Sequence, residues 1–207
     1  MSVDHFWRRL PGQAVDACSP EELGELVPRS RDFRYDRLVA DGLALGVRQT
    51  AALMEVALTE NGLHPDPAAR LPVYGGARPA AGAGMPVLRP EQVAAASTFL
   101  RGSALGELVR QQDTVLARRV AQLDSAPPWS ETWAARVVND LRELRDFFAG
   151  AAAAGDAVVV RESAGSGPTS GGSTAGAASA GVSASAAGAA STAGYGEAAE
   201  RLFGRGH

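Results

Sequence analysis

Residues 130–160 read SETWAARVVNDLRELRDFFAGAAAAGDAVVV, and this stretch decides the fold class. Ser130 is placed to cap a helix, and Trp133, Val137, Leu141, Leu144 and Phe148 follow at spacings of four, four, three and four. That period predicts one buried stripe along a helix of about residues 131–153, with Arg136, Asn139, Glu143 and Asp146 on the wet side. Gly155 is the expected C-cap, since glycine adopts the left-handed conformation that ends a helix without a Cβ clash. Ala157 to Val160 then form a continuous apolar run, which suits an interior strand of a small sheet.

Upstream of this unit the helix signals continue. Asp113 is an expected cap for a helix with Leu116, Val120 and Leu123 inward, and Ser103 for one with Leu105, Leu108 and Val109 inward. Arg89-Pro90-Glu91-Gln92 starts another, with Pro90 at its first position and Val93, Ala96 and Leu100 as its stripe. A strand is expected at Met85 to Leu88 and another at Leu71 to Tyr74. From about Gly46 to Glu60, Val47, Ala51, Met54 and Leu58 read as one helical face ended by Asn61-Gly62. Ser19-Pro20-Glu21-Glu22 is a capping box opening a helix to about Val27, and Gln13 to Cys18 is a candidate strand. Several helices with a few irregularly placed strands give an α+β domain, helix-rich with a small, mainly antiparallel sheet.

The body ends where composition changes. Between Ser163 and Gly194 every residue is Ala, Gly, Ser or Thr except Pro168 and Val182, and none is charged. Such a segment cannot bury enough apolar surface to offset chain entropy. The expected organisation of the 207 residues is therefore a body over 1–162, a disordered linker over 163–194, and a terminal peptide over 195–207 that reads either as a short docking helix or as a frayed terminus without a role. On that helix Tyr195, Ala198, Ala199, Leu202 and Phe203 share one face. A flexible linker of that length spans roughly 30 Å.

Composition excludes several chemistries. All 20 bases are Arg, so no lysine exists for a Walker A loop, a pyridoxal Schiff base, a protein-kinase ATP site or a lysine-based aldolase. Cys18 is the single cysteine and His5, His64 and His207 are the only histidines, too few for a closed structural zinc site without carboxylate ligands. No metal and no cofactor is expected. A net charge of −3 with dispersed arginines argues against nucleic acid as a partner. No apolar run suits a signal peptide or a membrane span, and a cytoplasmic location follows.

The run Pro72-Val73-Tyr74-Gly75-Gly76, then Met85-Pro86-Val87-Leu88-Arg89-Pro90-Glu91-Gln92-Val93, then Trp129, then Leu144 through Val160, resembles the YfbM-like family, as does Cys18-Ser19-Pro20-Glu21-Glu22-Leu23. The resemblance covers about residues 14–162 and implies the α+β fold of a bacterial family of unknown function. The family's Asp-Lys-x-Trp signature has no counterpart near Leu43 to Leu58, which lack Trp and Lys.

Candidate sites are few, and each has a bland alternative. His64-Pro65-Asp66 has the groups for acid-base work but sits in a Pro-rich connection. Gly75-Gly76 and Gly82-Ala83-Gly84 fall short of a phosphate-binding loop and suit turns. Glu21-Glu22 and Asp140-Glu143 are carboxylate pairs on expected helix surfaces. Cys18 beside Asp16 is expected to be an inert, buried thiol. Tyr74, Arg78, Trp129 and Trp133 are the candidate binding residues: with Arg89 they have the chemistry to border a groove, although Trp133 also fits the core and Trp129 the entry of the last helix. Two functions follow. One is a non-enzymatic accessory domain that binds another protein; the other is a small-molecule binder or enzyme using a pocket near Tyr74, Arg78 and Trp129.

Overall fold

The computed structural model describes residues 3–28, 32–60, 66–76, 85–123 and 126–164. His64, Arg78, the Asn61-Gly62 pair, the Gly82-Ala83-Gly84 turn, the linker beyond residue 164 and the terminal peptide 195–207 lie outside these residues. The chain runs β1 (Val3–Pro11), α1 (Gly12–Ala17), α2 (Pro20–Leu26), α3 (Tyr35–Ala40), β2 (Ala44–Arg48) and α4 (Ala51–Thr59). A 3-10 turn (Pro67–Arg70) leads into α5 (Leu71–Tyr74), and then come β3 (Val87–Leu88), α6 (Pro90–Gly102), α7 (Leu105–Gln111), α8 (Asp113–Val120), α9 (Glu131–Ala154) and β4 (Asp156–Ala164).

The four strands form one antiparallel sheet in the order β2-β1-β4-β3. Its spine is the pairing of β1 with β4, which keeps register from Val3↔Ala164 to Pro11↔Asp156. Alternation along the two central strands gives the sheet two covered faces. Trp7, Leu45, Val47, Val158 and Val160 pack beneath α4 to α9 in the larger core. Phe6, Leu10, Ala157 and Val159 pack beneath α1, α2 and Tyr35 in a smaller one. The result is helix-rich α+β architecture, with α9 as the main support of the larger face. Among the described residues no helix is long and apolar enough to cross a membrane.

The expected stripe of α9 is buried: Trp133, Val137, Leu141, Leu144 and Phe148 all lie in the core, Ser130 Oγ accepts from the backbone N–H of Trp133, and Gly155 is left-handed at φ 69°. The Ser19/Glu22 capping box of α2 is fully formed. Four other expectations are corrected. Gln13 to Cys18 is helix α1, not strand; its one buried residue, Val15, gives no alternation to hold a strand. Leu71 to Tyr74 is α5, continuing the turn begun at Pro67 and stopped by left-handed Gly75. The segment from Gly46 to Glu60 is not one helix, because Val47 belongs to β2 and the chain turns at Gln49, φ 67°, before α4. The caps expected at Ser103 and Asp113 are absent: Ser103 Oγ donates back to the Phe99 carbonyl, and Asp113 is bonded elsewhere.

Candidate functional site

The segment before α9 and the first turns of that helix face α7 across an open groove of about 610 Å³. Val109 of α7, Ala134 and Val138 of α9 and the half-buried indole of Trp129 form its apolar lining. Exposed Arg110, Asp113, Glu131 and Arg142 supply charges of both signs around it. The indole is fixed: its Nε1–H donates to Asp113 Oδ1 at 2.5 Å, which locks the loop before α9 to the start of α8. Trp133, one turn along, points the other way. It is 7% exposed, its Nε1–H donates to the Pro127 carbonyl at 3.2 Å, and the Arg136 guanidinium covers its ring at 5.4 Å. The spacing of four thus yields one core tryptophan and one that lines the groove.

Tyr74 is placed elsewhere. It is 7% exposed, its ring meets His5 edge-on at 5.1 Å, and it does not line the groove at Trp129. Trp7, fully buried, donates its indole N–H to the Pro72 carbonyl at 2.9 Å and so fastens α5 onto β1. His5, 2% exposed, lies 3.2 Å through Nε2 from Oε1 of Glu162, its cross-strand partner. This His–Glu–Tyr set has the groups for proton transfer, and its geometry joins β1, β4 and α5.

The remaining candidates resolve into local structure. Asp140 and Glu143 do not act together: Asp140 accepts from buried Thr50 Oγ1 at 2.5 Å, while Glu143 accepts from Asn139 at 2.9 Å. Burial pushes the Asp140 carboxyl up, against the opposing effects of Thr50 and Arg136. Glu22 is held below the usual carboxylate range by the Ser19 backbone and hydroxyl. Cys18 is half-buried, and burial together with Glu22 pushes its thiol up, away from nucleophilic use at neutral pH. Arg89 pairs with Asp16. Among the described residues no group of three or more His, Cys, Asp or Glu side chains is arranged to hold a metal.

Two groups were not visible in the sequence. Glu55 on α4 has a buried Oε2 without a hydrogen-bond partner, and burial pushes its carboxyl up to about 7 against the pull of Arg70. Arg8 in β1 is 8% exposed with its Nε unpartnered. No periodicity marks either one, because each is defined by segments distant in sequence.

No family model and no curated protein matches the chain. Among solved structures, YfbM from Escherichia coli, described as a protein of unknown function, superposes with a TM-score of 0.51 at 16% identity. The match covers 76% of this chain and 98% of that one. The fold is YfbM-like. At this identity the likeness to YfbM extends to the fold alone.

Proposed function

We propose that the YfbM-like body is a non-enzymatic, protein-binding accessory domain whose contact surface is the groove between α7 and α9. The carrying observation is Trp129, a large side chain held by Asp113 at the edge of an apolar floor with charges of both signs around it. Immobilised tryptophan bordered by arginine is the composition that dominates binding energy at protein interfaces. A cytoplasmic setting accompanies this function, in keeping with a single, half-buried thiol at Cys18. The alternative, a small-molecule site or enzyme joining Tyr74 and Arg78 to Trp129, has less support. Tyr74 is packed on His5 and takes no part in the groove, and Arg78 lies outside the described residues.

The test is site-specific photo-crosslinking in cells with the probe at Ala135, which is exposed and lines the groove, and a control probe at exposed Arg101 on α6. A discrete adduct is expected from position 135 and not from 101, and Trp129→Ala should greatly reduce it. The same adducts from both positions, or an adduct indifferent to Trp129→Ala, would refute the assignment.

A further inference from the structure

The groove between α7 and α9 has a direction. Glu131 and Arg142 stand at opposite ends of its α9 wall, about 16 Å apart at the helical rise. Both are exposed, and among the described residues neither makes an ion pair. Arg110, across the groove on α7, already pairs with Glu107. Between the two ends lies the apolar floor of Val109, Ala134 and Val138, with the Trp129 indole held by Asp113 near the Glu131 end. An apolar floor with an open acid at one end and an open base at the other selects an occupant that carries the opposite charges in the opposite order.

One segment of this chain has that pattern. Residues 195–207 read YGEAAERLFGRGH. At helical spacing Tyr195, Ala198, Ala199, Leu202 and Phe203 make one apolar face, the i, i+3, i+4, i+7 set by which an amphipathic helix enters a groove. Glu200 flanks that face on one side and Arg201 and Arg205 on the other, and the acids Glu197 and Glu200 precede both bases. Laid antiparallel to α9, such a helix brings its acids to Arg142 and Arg205 towards Glu131, with Leu202 and Phe203 at the Trp129 end. Glu197 and Arg205 would be about 12 Å apart along it, which fits between the charged ends of the groove. The connection is long enough. β4 ends at Ala164, and residues 165–194 are Ala, Gly, Ser or Thr apart from Pro168 and Val182. A chain of that length and composition spans roughly 30 Å on average and about 100 Å at most, against a radius of gyration of about 15 Å for a body of about 160 residues.

We propose that residues 195–207 occupy the Trp129 groove of their own chain, so that an outside protein binds there only by displacing them. This regulation rests on the reading of the groove as a protein contact surface. A linker of matched length holds its segment at an effective concentration of about 1 mM. A segment with a dissociation constant of about 100 µM then fills the groove about nine-tenths of the time and weakens a competitor about tenfold. Weak intrinsic binding is what such a plug needs, because a tight one would exclude the partner altogether.

The test uses the purified full chain with a photo-crosslinking residue at Ala135, in an equal mixture of light and isotope-heavy copies, and maps the adducts by mass spectrometry. An adduct between position 135 and residues 195–207 of the same copy is expected. Leu202→Asp with Phe203→Asp, both outside the folded body, should abolish it; Arg142→Glu should weaken it and Arg142→Glu with Glu200→Arg should restore it. A fluorescent synthetic peptide of residues 195–207 should bind the Leu202→Asp, Phe203→Asp chain about tenfold more tightly than the wild type, whose own segment competes. Adducts joining light to heavy copies, an adduct indifferent to the Leu202 and Phe203 changes, or equal peptide affinity for the two chains overturns the plug. The two readings fail separately. No adduct in the purified chain, beside a Trp129-dependent partner adduct in cells, overturns the plug and leaves the contact surface; an adduct within one copy and none with another protein in cells supports the plug and removes the outside partner.

Discussion

Replacing Glu55 by glutamine should stabilise the protein, and more so as the pH rises. The carboxyl ionises near 4.5 in an unfolded chain and near 7 in the folded one, because Oε2 is buried without a hydrogen-bond donor and Arg70 offsets only part of the burial. The folded state therefore binds the proton more tightly, and stability falls as the pH rises through the window from 4.5 to 7. Each pH unit of that displacement is worth about 1.4 kcal/mol, so ionised Glu55 costs about 3 kcal/mol at pH 8 and roughly 1 kcal/mol at pH 5. These are upper bounds, since the carboxyl keeps some contact with water. Glutamine fills the same volume without the charge. Urea unfolding followed by the fluorescence of Trp7 and Trp133 should show Glu55→Gln gaining about 2 kcal/mol on the wild type between pH 5 and pH 8. A gain that is the same at both pH values would show that the carboxylate is solvated in the folded state and would refute the burial argument.

Three further outcomes are open to the same measurement. Thr50→Val takes the donor from half-buried Asp140 and should cost about 1–3 kcal/mol, with the loss growing as the pH rises through the range where the carboxyl ionises, since it is pushed up further once Thr50 no longer opposes burial. Gly46→Ala places a Cβ 2.5 Å from the Tyr35 hydroxyl and 3.0 Å from the Phe6 ring, so it should cost about 1–3 kcal/mol; Gly46→Ala combined with Tyr35→Phe should recover part of that. Trp133→Ala should lower stability by about 3–5 kcal/mol as a core deletion, whereas Trp129→Ala should cost about 1–2 kcal/mol and leave a cooperative transition. Equal losses at the two tryptophans would place Trp129 in the core and remove it from the groove.

What was legible in the sequence was local. The α9 stripe, the left-handed Gly155 and the Ser19/Glu22 box each depend on residues within a few positions of one another, and each is where its spacing put it. The N-terminal strand was invisible because His5, Arg8 and Arg9 interrupt its apolar alternation. Their burial makes sense only with Glu162, Leu43 and Asp156 beside them, and two of those partners lie about 150 residues away in the chain. Val47 reads as helical in the sequence because its distance of four to Ala51 is equally the step across a strand end and a turn. Four residues of α5 are too few for any period to show, and their helical state follows from the Pro67 turn that precedes them. At the candidate site, the spacing of Trp129 and Trp133 marked both residues, but only the Asp113 bond and the position of α7 decide which of them reaches the surface. Tyr74 shares their chemistry, but its contact is set by His5 of β1, a strand that the sequence pattern does not mark.

The pairing of Val3–Pro11 with Asp156–Ala164 also bears on how the protein is made. A strand synthesised about 150 residues before its partner must wait for that partner before the centre of the sheet exists. During that interval β1 can pair only with β2, which leaves its second edge open beside Phe6 and Trp7. Contacts of such long sequence separation slow folding and prolong the exposure of apolar surface. Growth temperature and chaperone supply should therefore govern the soluble yield of this protein more strongly than its final stability does.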